Sequence, residues 1–181
     1  MIILVGASAS GKTVTALYLQ KQYGLSKAVT TTTREKRIGE IDGVDYFFIN
    51  REEFLKRNKE NKFVENTLYN GNFYGCGVDQ VCDNKIIVLD PNGLHAFKKM
   101  NDKRIVTFLI ESNDKIRHSR MRERGDKEDK IKQRLENDII DFDKRRIGQT
   151  DFIINTDNKT IEETAKIIYE DYMSKLSSLK K

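Results

Sequence analysis

Gly6-Ala7-Ser8-Ala9-Ser10-Gly11-Lys12-Thr13 matches the pattern G-x-x-x-x-G-K-[ST]. Two glycines with small residues between them let a loop turn tightly and leave its N–H groups open to converge on phosphate oxygens. Lys12 would reach β- and γ-phosphates, and the Thr13 hydroxyl would bind Mg²⁺. Such a string cradles phosphate only between a strand and a helix. The context is present: Ile2 to Val5 is a short apolar run, and an apolar-periodic segment follows the loop. The positive end of that helix adds to the attraction for anions. A nucleoside-triphosphate site is expected at Gly6, Ala7, Ser8, Ala9, Ser10, Gly11, Lys12 and Thr13.

Other residues could complete the chemistry. Asp90 closes the apolar run Ile86-Ile87-Val88-Leu89. That places its carboxylate at the edge of a parallel sheet where ligands bind, suited to holding Mg²⁺ with Thr13, directly or through water. It equally suits the cap of the next helix, and the two roles can coexist. Arg117, Arg120 and Arg124 fall at i, i+3 and i+7 and share one helix face, with Arg134 beyond Gly125. Phosphoryl transfer needs cations to neutralise the moving group, and arginine forks bind its oxygens bidentately. A solvated face paired with Glu123, Glu128 and Asp129 is the alternative for these arginines. Thr30-Thr31-Thr32-Thr33-Arg34-Glu35-Lys36-Arg37 gathers hydroxyls and two arginines ahead of Tyr46, which suits an acceptor's single phosphate.

These groups need elements to carry them. The periodicity predicts a helix through Val14–Gln22 with Val14, Leu17 and Tyr18 on one face, stopped at Gly24. Strands are predicted at Ala28–Thr33 and Val44–Ile49, flanking an exposed loop over Arg34–Gly43. Asn50 with Glu53 resembles a capping pair for a helix to about Asn58. Lys62–Tyr69 and Asn72–Tyr74 read as a hairpin across Asn70-Gly71. A buried parallel strand over Lys85–Asp90, a helix opened by Pro91 and running to about Met100, and a buried strand over Arg104–Ile110 follow. Next come a helix capped at Ser112 or Asn113 and running to about Arg124, a charged helix over about Lys127–Arg146, and a strand over Asp151–Asn155. Thr160 with Glu163 forms a capping box for a last helix reaching Leu176. Strands alternating with helices around a glycine loop give an α/β fold: a doubly wound parallel sheet with an inserted β-rich lobe and a helical lid. The expected division is one domain, 1–181, with a core of 1–31, 84–112 and 147–181, a lobe over 32–83 and a lid over 113–146.

The chain has 181 residues, enough for one compact unit with a proper core. Its hydrophobic and charged fractions, 38% and 34%, are those of a soluble globular protein. A strand starting at Ile2 leaves no room for a signal peptide, and no apolar run approaches a membrane span. Cys76 and Cys82 suit neither a disulfide framework nor a zinc site. A cytoplasmic protein with reduced thiols and no membrane partner is expected. The net charge of +5 is modest, and an enzyme handling several phosphates needs cations. With no recognition motif present, nucleic acid is not an expected partner.

Thr31-Thr32-Thr33-Arg34-Glu35-Lys36-Arg37-Ile38-Gly39-Glu40-Ile41-Asp42-Gly43-Val44-Asp45-Tyr46-Phe47-Phe48 resembles the T-T-R-x-x-R-x-G-E-x-[DN]-G-x-D-Y-x-F signature of guanylate kinases. Phe63-Val64-Glu65, Asn72-Phe73-Tyr74-Gly75, Arg120-Met121-Arg122-Glu123-Arg124-Gly125 and Asp151-Phe152-Ile153-Ile154-Asn155 fit that family in order. The resemblance implies in-line transfer of the γ-phosphoryl of ATP, with Mg²⁺, to GMP or dGMP, giving ADP and GDP or dGDP. By position, Thr30, Arg34, Arg37, Tyr46 and Tyr74 would hold the GMP phosphate. Glu65 would accept hydrogen bonds from guanine N1–H and the 2-amino group. Lys12, Arg120, Arg124 and Arg134 would surround the moving phosphoryl. Two departures bear on base reading. Cys76 stands where the family has Ser or Thr, whose hydroxyl reads guanine O6. Leu89-Asp90-Pro91-Asn92-Gly93 is two residues shorter than L-D-x-D-x-Q-G, leaving Asn92 for the second aspartate's place. The alternatives are a related P-loop kinase with an altered acceptor base and a non-catalytic module that binds phosphorylated peptides. A monomer or weak homodimer is expected.

Overall fold

In a computed structural model that describes residues 1–69 and 71–179, the chain forms two sheets. Asn70, half of the expected Asn70-Gly71 turn, lies outside the described residues. The larger sheet takes β1 (Ile2–Val5), β2 (Ser26–Lys27), β7 (Lys85–Leu89), β8 (Val106–Glu111) and β9 (Phe152–Asn155) in the order β2-β7-β1-β8-β9. All its ladders are parallel. Alternation along β1 decides its two faces. Ile2 and Leu4 join Leu19 of α1 (Lys12–Tyr23) and Ile168 and Tyr172 of α7 (Ile161–Ser178) in one core. Met1, Ile3 and Val5 join Leu94 and Phe97 of α3 (Pro91–Lys99) in the other. Helices on both faces of an open parallel sheet make the doubly wound core. Among the described residues, no helix is long and apolar enough to cross a membrane.

The smaller sheet takes β3 (Thr31–Thr32), β4 (Phe47–Phe48), β5 (Phe63–Tyr69) and β6 (Asn72–Gly77) in the order β4-β3-β6-β5. It has its own apolar centre: Phe54 of α2 (Arg51–Lys59) is buried, with ring centroids 4.4 Å from Phe63 and 5.1 Å from Phe73. Two connections, 28–30 and 78–84, join this sheet to the larger one. They are tied together where the Val29 N–H donates to the buried Gln80 side chain at 3.0 Å.

Most elements fall where the patterns place them, and the caps match. Asn50, Asp90, Asn113 and Thr160 each accept a backbone N–H at their helix starts, Thr160 within a full capping box. Four expectations are corrected. The run Ala28–Thr33 is not one strand, because Ala28 bonds to the Ile86 carbonyl of the larger sheet while Thr31 and Thr32 ladder with the smaller. Only Phe47–Phe48 of Val44–Ile49 is strand, since the preceding residues close turns onto Ile41. Helix α1 buries Thr15, Ala16 and Leu19 and leaves Val14 and Leu17 exposed, because its phase is set by the loop that launches it and by α7. The charged helix over 127–146 breaks into α5 (Glu128–Asp141) and α6 (Lys144–Ile147), where the Asp143 carboxylate caps a new start on Arg145.

The Phe54 centre is small and well stacked, so its loss cannot be spread over neighbours. Replacing Phe54 by Ala should lower unfolding free energy by about 3–5 kcal/mol, read from urea denaturation.

Candidate active site

The glycine loop leaves β1 at the carboxyl edge of the sheet and enters α1 through Gly11, whose φ of 104° favours glycine. Ser10 is buried, Ala9 takes a φ of 58°, and the loop closes through the Ser10 N–H to the Ala7 carbonyl at 3.3 Å. Lys12 Nζ donates to the Ala7 carbonyl at 2.7 Å and to Ser10 Oγ at 3.4 Å, so its ammonium sits over the loop. Burial is the main cause that lowers Lys12 to about 8, with Asp138 opposing and Arg117 adding to the shift. Thr13 is exposed on the first turn of α1.

Helix α4 (Asp114–Glu123) brings its arginine face onto this loop. Arg117 Nη1 donates to the Ser8 carbonyl at 3.2 Å, and Arg120 Nη1 to the Ala9 carbonyl at 3.2 Å. Arg120 also reaches the hydroxyl and the carbonyl of Thr156, just past β9, at 3.3 Å each. The Thr156 hydroxyl in turn donates to the Ser10 carbonyl at 3.0 Å. Arg124 and Arg134 share one carboxylate, Asp126, at 2.5 and 3.0 Å. The acid alternatives weighed from sequence, Glu123, Glu128 and Asp129, are thus not the partners of these arginines. Arg117 pairs with Asp114 and Asp138, and Arg124 and Arg134 pair with Asp126, while Arg120 bonds Ala9 and Thr156. Hydrogen bonding from Arg124 holds the Asp126 carboxyl below its usual range.

A cavity of about 750 Å³ opens beside the loop. Lys12, Thr13, Arg120 and Arg124 line its polar side, and Val14 and Ile161 are exposed apolar residues on its wall. Sequence patterning placed Val14 on one helix face with Leu17 and Tyr18; the structure exposes it on the cavity wall. Thr156 and Asp126 carried no sequence signal, being joined to the site only by the fold.

On the smaller sheet, Arg34, Tyr46 and Tyr74 come together. The guanidinium of Arg34 lies 5.5 Å from the Tyr46 ring, whose centroid is 6.1 Å from that of Tyr74. Glu40 pairs with Arg34 at 2.6 Å and accepts the Arg37 N–H at 2.8 Å, which hold its carboxyl below the usual range. The half-buried Thr30 joins β4 through its carbonyl, which accepts the Phe47 N–H, and the Arg37 side chain is exposed. Burial raises Glu65 first, the Cys76 N–H opposes by donating to it, and the charge of Asp90 raises it further. Asp90 caps α3 by accepting the Gly93 N–H at 2.8 Å, so its capping role is real. Asn92 is exposed on the first turn of the same helix. Cys76 is fully buried and belongs to the second core with Met1, Ile3 and Leu94, and burial pushes its thiol up to about 12. Its backbone N–H donates to the Glu65 carboxylate, and its thiol lies 3.8 Å from the Gly77 carbonyl oxygen.

A family model described as Guanylate kinase matches residues 1–175. The chain belongs to the guanylate kinase family. It is 33% identical to a guanylate kinase of Chlorobaculum tepidum, over 94% of this chain and 92% of that one. A guanylate kinase of Wolbachia pipientis wMel is 30% identical over 97% of this chain and 92% of its own. The crystal structure of guanylate kinase from Anaplasma phagocytophilum superposes with a TM-score of 0.64 at 27% identity, covering 96% of this chain and 84% of that one. Membership in this family fits a chain that has both a cavity at its glycine loop and a separate Arg–Tyr cluster on the smaller sheet, since a guanylate kinase is an enzyme with two nucleotides to hold.

The buried Lys12 ammonium gives a proton-linked signature. Without ligand it loses its proton above about pH 8, whereas bound phosphate favours the charged form. Nucleotide affinity should therefore fall as pH rises beyond about 8, with proton uptake on binding in that range. Calorimetry of ADP binding in two buffers of different ionisation enthalpy measures the uptake, which Lys12→Met should abolish.

Proposed function

We propose that the protein transfers the γ-phosphoryl group of ATP to GMP or dGMP, yielding ADP and GDP or dGDP. The observation that carries this reading is the arrangement of Arg120, which holds the phosphate loop at Ala9 while lining the cavity with Lys12 and Arg124. Family membership and the curated guanylate kinases support the choice of substrates.

In this reading ATP lies with its phosphates on Gly6 to Thr13 and its base against Val14 and Ile161. The GMP phosphate binds at Arg34, Arg37, Tyr46 and Tyr74, with Thr30 beside them, exchanging the Glu40 contacts for its own oxygens. Glu65 meets the guanine edge, and burial makes its hydrogen bonds to base N–H groups count for more than in water. Asn92 supplies an amide from α3, and Cys76 contributes through the peptide it presents to Glu65. Lys12, Arg120, Arg124 and Arg134 surround the transferring group, where charge neutralisation and alignment carry the catalysis. A GMP phosphate oxygen attacks in line, and no side chain becomes covalently modified. The lobe 32–83 and the lid 113–146 close on the core 1–31, 84–112 and 147–181 to exclude water, so that ATP is not hydrolysed.

Among the described residues no cluster of three or more His, Cys, Asp or Glu is arranged to hold a metal. Magnesium needs few protein ligands, because it keeps phosphate oxygens and water, and oxygen donors from a hydroxyl and a carboxylate suit it. The Thr13 hydroxyl, exposed at the cavity, would be one ligand, and Asp90 would act through water while its other oxygen caps α3. Bound there, Mg²⁺ neutralises the β- and γ-phosphates.

Purified protein with ATP and Mg²⁺ should form ADP when GMP or dGMP is added and far less with AMP, CMP or UMP. Equal turnover of all the monophosphates would overturn the guanine assignment. Lys12→Ala should lower turnover by at least about 100-fold, as loss of a group that stabilises developing charge does. Asp90→Asn keeps an equally good cap, so the urea midpoint should hold. A fall in its turnover at limiting Mg²⁺ would show that the charge of Asp90 is used as well.

A further inference from the structure

Ser8 is gripped on both sides of its backbone by the lid. Its N–H donates to Asp138 Oδ2 at 2.9 Å, its hydroxyl to Asp138 Oδ1 at 3.2 Å, and its carbonyl accepts from Arg117 at 3.2 Å. Arg117 and Asp138 bond each other at 2.5 Å, and Arg117 extends to Asp114 at 2.8 Å. The two residues are 3% and 7% exposed, although they come from the charged faces of α4 and α5. Burying a charged pair carries a desolvation penalty that mere cohesion does not require, since an apolar pair would hold two helices together as well. The pair brings what an apolar contact lacks: a directional hold on one peptide of the phosphate loop.

The direction matters because of what lies on the same stripe. Ile131, Arg134 and Asp138 follow at i, i+3 and i+7 on α5. Ile131 is fully buried, and Asp138 is fixed to Ser8. With both ends of the stripe held, the rotation of α5 about its axis is set, and Arg134 is carried on the face that meets the loop. On α4, Arg117 and Arg120 take the successive carbonyls of Ser8 and Ala9, so both lid helices are registered against Ser8, and α4 against Ala9 as well.

We propose that Arg117 and Asp138 are positioning residues for phosphoryl transfer: the pair locks helix α5 to the phosphate loop at Ser8 and so holds Arg134 toward the donor phosphates. The proposal rests on the reading of Arg134 given above. Asp138→Asn keeps an oxygen for the Ser8 N–H but can set an amide NH₂ against the Arg117 guanidinium. The double variant Arg117→Leu/Asp138→Ala removes both charges and leaves none buried alone, so it keeps the test open where the single variant unfolds.

Both variants should lower kcat by about 10- to 100-fold, the scale of a misplaced catalytic group, with the KM for GMP changed by less than about twofold. Arg134→Ala should lower kcat by about tenfold or more in the parent chain and by less than about twofold further in the double variant, because the clamp and the arginine act as one unit. Thermal unfolding and far-ultraviolet circular dichroism establish that each variant is folded. A double variant with parental kcat, or an Arg134→Ala effect of the same size in both backgrounds, overturns the clamp while leaving Arg134 in its role. An Arg134→Ala chain with parental kcat overturns the role of Arg134 itself, and the aiming proposal with it.

Discussion

Among the described glycines, the closest approach to another stretch of backbone is that of Gly6 to β8. A Cβ at that position would lie 2.2 Å from the Ile110 carbonyl oxygen, which no side chain tolerates. The glycine loop is thereby pressed onto the neighbouring strand at the point where β1 ends. Because β7, β1, β8 and β9 run parallel, their carboxyl ends open on the same edge. Asp90 after β7, the arginine helix after β8 and Thr156 after β9 are brought round the loop by that single geometric fact. A larger residue at position 6 would push the loop away from β8 and from the arginine helix that follows it.

The cations of the site are already partnered inside the chain. Arg34 pairs with Glu40, Arg124 and Arg134 with Asp126, and Lys12 with a loop carbonyl. The arginine ends of the Arg124 and Arg134 pairs lie near solvent, where ion pairs contribute little, so phosphate oxygens can replace Asp126 without a large loss. The Arg34–Glu40 pair is more sheltered. Arg117 with Asp138 is the contrast, a pair too deeply buried to be exchanged. Exchangeable pairs occur where substrate phosphate is expected, and the fixed pair occurs behind the loop.

Local patterns conveyed the strands, the helix starts and the phosphate loop, because each depends on neighbours in the chain: Thr160 with Glu163, Asn50 with Glu53, glycines framing Lys12 and Thr13. The failures share a cause. Ala28–Thr33 looks uniformly β-branched, yet which sheet each residue joins depends on ladders with Ile86 and with Gly75 and Tyr74, far along the chain. Val14 and Leu17 are apolar at helical spacing, but the face that is buried was decided by α7. At the site, Arg34, Tyr46 and Tyr74 were legible through their motif, and their gathering agrees with it. Cys76 was legible as a position and not as a core residue, since its burial depends on packing against parts of the chain distant in sequence. Asp138 was invisible, one acid among many on a charged helix.

The bond between Val29 and Gln80 has a mechanical meaning. The lobe meets the core through two strips of chain, and a side-chain amide binds them across their width. Two independent strips would let the lobe twist as well as swing. Strips laced side by side resist torsion and bend about one axis, much as a leaf hinge does. The aromatic stack at Phe54 stiffens the smaller sheet on the far side of those strips, so that the segment carrying Tyr74 holds its shape as one piece.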